Sequence, residues 1–287
     1  MIPGPAFQTG LLLALLVAFL PSSSESFAIV REARSRSTMK DFQLNGMTDD
    51  SAIKSQNFKA IIFDIDGTLA DSWKLGYDAT LVVLEKNNIP SISPEEYHDF
   101  TRYATPDRLA RHAGLEPGHP DYESVGNRLG AEFDEFYVGL VSTETAGYYS
   151  GIDELLKDIP SSIALGALTN ACVDYAHAVF KENSVDVVGI NYSERFGSVR
   201  GADNVPKPKP NPDGLFQVCK DLSVDPSDCV YIGDSPSDAM AAYNAGMPSI
   251  GVLWGSHSEE SLKKAPFSTL CRTVDELRTA LNLVLVK

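Results

Sequence analysis

From Lys59 onward, short apolar runs alternate with longer stretches of helical period. The runs lie at 60–63, 163–168, 230–232 and 249–253, with a weaker one at 187–190 or 196–199. Three of them run directly into polar tips, at Asp64, Thr169 and Gly233-Asp234. Short apolar runs that end this way read as buried strands. Between them, apolar positions recur at helical spacing over 174–182, 212–222, 237–245 and 274–284. Strands that alternate with helices predict an α/β fold with a doubly wound parallel sheet. Such sheets bind ligands outside the carboxyl ends of their strands.

The stretch 74–148 breaks this rhythm. Helical patterns at 75–87, 94–103, 107–113 and 122–140 follow one another with turn signals between them and no convincing strand. The pattern predicts an α-helical cap inserted into a core made of 58–73 and 149–287. The insertion begins just after the first polar strand tip, so it is placed to close over that tip as a lid.

Residues 1–57 fall outside that pattern. The run from Leu11 to Leu20 has the length of a signal-peptide core and is short for a bilayer span. Basic and hydroxyl residues follow, with Arg31, Arg34, Arg36 and Lys40 among Ser35, Ser37 and Thr38. We read 1–28 as a signal peptide and 29–57 as a transit-like disordered segment. A signal peptide followed by such a segment, with Phe27 at the junction, resembles the bipartite presequence of algae with secondary plastids. This implies delivery to a plastid; secretion with a disordered mature N-terminus is the alternative. No stable membrane association is expected once the presequence is removed.

Composition narrows the function classes. The 287 residues are 43% hydrophobic, enough for a sizeable core. A formal charge of −15 and a pI of about 4.7 argue against nucleic acid, whose backbone is held by clustered Lys and Arg. The charge does not exclude a small anionic substrate, which responds to the field of one pocket. Cys172, Cys219, Cys229 and Cys271 show no CxxC spacing and read as reduced, mostly buried thiols. The oligomeric state is left open.

The chemistry is concentrated in four clusters. Asp64 and Asp66 follow the first strand around Gly67, and a carboxylate pair there can attack phosphorus, bind a hard cation and move a proton. Taken alone, Asp-x-Asp-Gly also reads as a solvated turn. Thr169-Asn170 ends another strand and can donate to phosphate oxygens, or cap the next helix. Lys207 and Lys209 sit in a loop stiffened by Pro206, Pro208, Pro210 and Pro212, where a lysine can neutralise a phosphate or simply be solvated. Asp234 follows a further strand and can complete a Mg²⁺ site with Asp64. Asp238, four residues on, can orient Lys209 or a metal-bound water, or favour a helix N-terminus.

Acid pair, hydroxyl, lysine and second acid pair occur in this order from 59 to 281, and they resemble the four signature motifs of the haloacid dehalogenase superfamily of phosphatases. With the inserted helices, the chain is similar to the phosphoglycolate-phosphatase-like subgroup. The resemblance implies a Rossmann-like core and Mg²⁺-dependent hydrolysis of a small phosphorylated metabolite, plausibly 2-phosphoglycolate. It implies Asp64 as nucleophile, Asp66 as acid/base, Lys209 (in preference to Lys207) as the motif lysine, and Thr169 and Asn170 as phosphate binders. The metal set is Asp64, the Asp66 carbonyl and Asp234, with Asp238 nearby. Asp66 favours phosphate chemistry over C–halogen cleavage. A phosphosugar mutase on the same scaffold, or a non-catalytic interaction protein, would share the core. Thr105-Pro106-Asp107-Arg108 is expected in a cap loop, with Arg108 free to pair with a substrate carboxylate or to be a surface arginine at a helix start. Trp254, Gly255 and His257 are expected at the rim.

Overall fold

The structure is a computed structural model, and it describes residues 58–184 and 195–283. Six strands form one sheet: β1 (Ala60–Phe63), β2 (Ala164–Leu168), β3 (Phe196–Arg200), β4 (Cys229–Gly233), β5 (Ser249–Val252) and β6 (Thr269–Cys271). The spatial order is β3-β2-β1-β4-β5-β6, and every pairing is parallel. All four residues of β1 are buried, as expected of a central strand covered on both faces.

The helices between the strands follow the predicted pattern closely. Between β1 and β2 lie α1 (Trp73–Lys86), α2 (Pro94–Phe100), α3 (Thr105–His112), α4 (Tyr122–Gly139) and α5 (Ile152–Asp158). The rest are α6 (Val173–Asn183), α7 (Asp213–Leu222), α8 (Pro236–Ala245), α9 (Glu259–Lys263) and α10 (Val274–Ala280). The weaker run at 196–199 is β3, whereas 187–190 lies outside the described residues, as do residues 1–57, read as a presequence. Three elements escaped the sequence reading: α5, α9 and the three-residue edge strand β6. With five and three residues, α9 and β6 are too short to show a period. None of the described helices is long and apolar enough to cross a membrane.

The topology sets where chemistry can occur. From β1 the chain moves to β2 and β3 on one side, then returns to place β4 against the other side of β1. Three polar tips therefore emerge side by side, Thr169 after β2, Asp64 after β1 and Asp234 after β4. The main-chain N–H of Asp64 donates to Ile232 O at 2.8 Å, tying the first tip to β4.

The inserted helices pack closely because of two glycines. Gly126 and Gly130 lie on α4 opposite Pro106 at the start of α3. A Cβ at Gly126 would come within 2.6 Å of Pro106 O, and one at Gly130 within 3.3 Å of the Pro106 ring. Glycine inside a helix costs about 1 kcal/mol relative to alanine. Here it lets α3 settle onto α4 and brings Arg108 to 4.6 Å from the Phe133 ring.

Candidate active site

Asp64 stands at the carboxyl end of β1, and its Oδ1 accepts from Ile65 N–H at 2.8 Å. The chain turns at once through Gly67, whose φ of +74° favours glycine. A side chain at Gly67 would also meet Asp234 Oδ2 at 2.2 Å, and one at Gly255 would meet the same atom at 2.2 Å. Two bare backbone positions thus let the Asp234 carboxylate lie against the turn. Its Oδ2 accepts from Ser256 N–H at 2.7 Å.

Lys209 is the cation of this cluster. It is buried, with its ammonium 2.9 Å from Asp64 Oδ1 and 2.7 Å from Asp238 Oδ1. It also donates to the Tyr231 hydroxyl at 3.1 Å and to Leu168 O at 3.3 Å. Burial works against the ammonium, but Asp238 and then Asp64 outweigh it and hold its pKa above the ordinary lysine value. Asp64 fares worse. Burial first, then the charge of Asp238, pushes its pKa well up; Lys209 opposes this, and Asp234 and Asp66 add to it. One ammonium is shared among several acids, so the lysine gains more from the cluster than Asp64 gains from the lysine. Lys207 is exposed, which singles out Lys209 of the two.

Asp238 has two duties. It is the third residue of a capping box at the start of α8, where its Oδ2 accepts from Ser235 N–H at 2.9 Å and from the Ser235 hydroxyl at 2.8 Å. Its Oδ1 is taken by Lys209 and by the Tyr231 hydroxyl at 3.0 Å. The oxygens of Asp64, Asp234 and Asp238 can lie within 4.8 Å of one another, so Asp238 shapes the same field. Its four hydrogen bonds make it the partner of the lysine and of the helix end in this arrangement. Asp64 Oδ2 and Asp234 Oδ1, by contrast, accept from no donor among the described residues. Two free oxygens of buried acids beside a single shared ammonium fit a hard divalent cation.

The second strand tip acts mainly on protein groups. Thr169 donates to Asp66 Oδ2 at 3.2 Å and accepts from Ala171 N–H at 3.0 Å. The Asn170 amide clamps the lysine loop, donating to Lys209 O at 3.1 Å and accepting from Lys209 N–H at 3.0 Å. Asn170 lines the cavity while its side-chain amide positions Lys209.

Arg108 requires a correction. The segment from Thr105 is the first turn of α3, not a loop, and Arg108 is 5% exposed, not a surface arginine. It donates to the Thr80 hydroxyl at 2.7 Å and lies 5.1 Å from the Tyr97 ring and 4.6 Å from the Phe133 ring. The described residues place no carboxylate in an ion pair with it. Two aromatic faces compensate only part of the cost of burying a cation. Arg108 lines the same cavity as Asp64, Asp66, Lys209 and Asp234, a space of about 690 Å³ counted with its open mouth. Trp254 lies at the turn, donating from Nε1 to Thr68 O at 3.0 Å, and His257 lines the cavity.

Three tyrosines were missed. Tyr137, Tyr175 and Tyr231 all place hydroxyls on the acids of the site. Each sits at a buried helix or strand position, where an aromatic residue reads as packing. Nothing in the linear pattern reports which way a phenol points.

The family described as haloacid dehalogenase-like hydrolase matches residues 61–252. An N-acetylmuramic acid 6-phosphate phosphatase of Pseudomonas aeruginosa is 26% identical over 211 residues, 73% of this chain and 88% of its own. A phosphoglycolate phosphatase of Salmonella paratyphi A is 27% identical over 250 residues, 80% of this chain and 95% of its own. Among solved structures, CbbY from Rhodobacter sphaeroides in complex with phosphate superposes with a TM-score of 0.65 at 24% identity. It covers 79% of this chain and 100% of the other, and shows the same fold.

Proposed function

The chain belongs to the haloacid dehalogenase-like hydrolases, and from that membership we propose that it is a Mg²⁺-dependent phosphatase of a small phosphorylated carboxylic acid, with 2-phosphoglycolate the leading candidate. The observation that carries the substrate class is Arg108, a buried guanidinium without a carboxylate partner among the described residues that opens on the cavity of the acid cluster. A substrate carboxylate would supply the missing charge through paired N–H···O bonds. Both relatives described above carry names of phosphorylated acids, which supports the same class.

In this reading Asp64 attacks phosphorus and forms an aspartyl-phosphate that water then hydrolyses. Asp66 protonates the leaving oxygen and later takes a proton from the water. Lys209, held by Asp238, Tyr231 and Asn170, fixes the nucleophile's orientation and balances phosphate charge. Thr169 exchanges its bond to Asp66 for a phosphate oxygen. Asp64, Asp234 and the Asp66 carbonyl would hold Mg²⁺, which neutralises charge on the transferring group. Residues 74–148 act as the cap that admits the substrate.

The test is a panel of phosphate esters with and without a carboxylate. Phosphate release is expected with Mg²⁺ and lost in EDTA. Arg108→Ala is expected to raise KM for carboxylate-bearing esters ~10- to 100-fold, with a much smaller change for neutral esters. No release from any ester would end the proposal; an equal effect of Arg108→Ala on both groups would end its carboxylate part. Delivery to a plastid is also proposed, on the presequence pattern. Residues 1–40 fused to a fluorescent reporter should carry it into plastids, and secretion of the reporter would contradict this.

A further inference from the structure

Asp66 is held by four hydroxyls, three of them on the same oxygen. Oδ1 accepts from Tyr137 at 2.8 Å, from Tyr175 at 2.6 Å and from Ser72. Oδ2 accepts only the longer bond from Thr169, at 3.2 Å. An ionised carboxylate has about two acceptor sites on each oxygen. Oδ1 is therefore saturated, and Oδ2 keeps one site open toward the cavity that Asp66 lines.

The two phenols form one unit. Tyr137, on α4 of the inserted segment, and Tyr175, on α6 of the core, stack with ring centroids 4.1 Å apart and planes 18° apart. Phe133 extends the stack at 4.7 Å from Tyr137. Both tyrosines are buried, 4% and 0% exposed.

We infer that Tyr137 and Tyr175 are positioning residues that anchor Asp66 through Oδ1 and so assign proton transfer to Oδ2. The inference rests on the phosphoryl-transfer reading above. As Asp64 bonds to phosphorus and the ester P–O bond breaks, the proton on Oδ2 passes to the leaving alkoxide oxygen. As water bonds to phosphorus and the bond to Asp64 breaks, Oδ2 takes the water's proton and is restored. Oδ1 exchanges nothing in either step. One of the two phenols comes from the inserted segment, so the anchor is complete only with α4 packed against α6.

A difference between leaving groups tests this. An alkoxide leaving group needs the proton from Asp66, whereas p-nitrophenolate departs without it. kcat/KM reports the steps through aspartyl-phosphate formation, where that proton is used. Tyr137→Phe and Tyr175→Phe keep the stacked rings and delete only the hydroxyls. They are made separately, so that loss of fold in one leaves the other as the test, and melting temperatures verify the fold. Each is expected to lower kcat/KM for 2-phosphoglycolate about tenfold or more beyond its effect on p-nitrophenyl phosphate. A purely structural role would lower both alike. Equal losses, or none, in an active protein would overturn the anchor alone. Wild type that hydrolyses neither ester would overturn the phosphatase reading and this inference with it.

Discussion

Asp64→Asn is expected to abolish phosphate release and to leave the metal-free protein at least as resistant to heat as the wild type. The loss of turnover should reach about 10⁴-fold or more, because the amide cannot form the acyl-phosphate and the remaining groups act only around a nucleophile. The stability result follows from the sign of the pKa shift. Asp64 is pushed well above the ordinary carboxyl value by burial and by Asp238, Asp234 and Asp66. A carboxyl raised in the folded state contributes stability below its unfolded pKa and loses it as pH rises through the folded value. At neutral pH its ionised form is therefore a burden on the fold, and the neutral amide removes it. Phosphate release with Mg²⁺, and thermal melting in EDTA, check the two halves. A lower melting temperature for the variant would show that the pair with Lys209 outweighs burial and the neighbouring acids.

Lys209→Met is expected to abolish turnover as well, with the opposite effect on stability. The lysine side chain is 2% exposed, and its partners Asp64 and Asp238 are 8% and 0% exposed. Removing one partner of a buried ion pair leaves the other charges uncompensated, at a cost of about 3–5 kcal/mol. For a protein of this size that lowers the melting temperature by roughly 10 °C. The fall should be smaller in Mg²⁺, which supplies part of the missing positive charge. Melting curves with and without Mg²⁺ test this, and an unchanged curve in EDTA would contradict the buried ion-pair account. The two substitutions thus separate the nucleophile from its counter-charge by stability as well as by activity.

Legibility differed between the fold and the site. Most strands and helices of the core were readable, the strands as apolar runs and the helices from their period, whereas α5, α9 and β6 were not. Of the site, Asp64, Asp66, Thr169, Lys209, Asp234 and Asp238 were readable because they sit at or just beyond strand ends or in a proline-stiffened loop. Their partners were not. Asn170 reads equally well as a phosphate donor or a helix cap, and in the structure it clamps the lysine loop. Asp238 reads as a helix-end charge or a site acid, and one oxygen serves each use. Arg108 reads as a partner for a substrate carboxylate or as a surface arginine at a helix start; it does stand in the first turn of α3, where Pro106 costs no helical hydrogen bond, but it is buried.

By itself, then, the sequence determined the alternation of strand and helix, the acids at the strand ends and the place of the insertion. These follow from chain-local rules: the period of apolar residues, the stiffness of proline and the freedom of glycine. Only the tertiary structure decided which side chains share an atom. Tyr137 and Tyr175 reach Asp66 from 71 and 109 residues away, and Lys209 reaches Asp238 across 29. Such contacts depend on how α4 lies against α6 and how β4 returns beside β1. No local pattern encodes that geometry, because burial and direction are set by packing between elements distant along the chain.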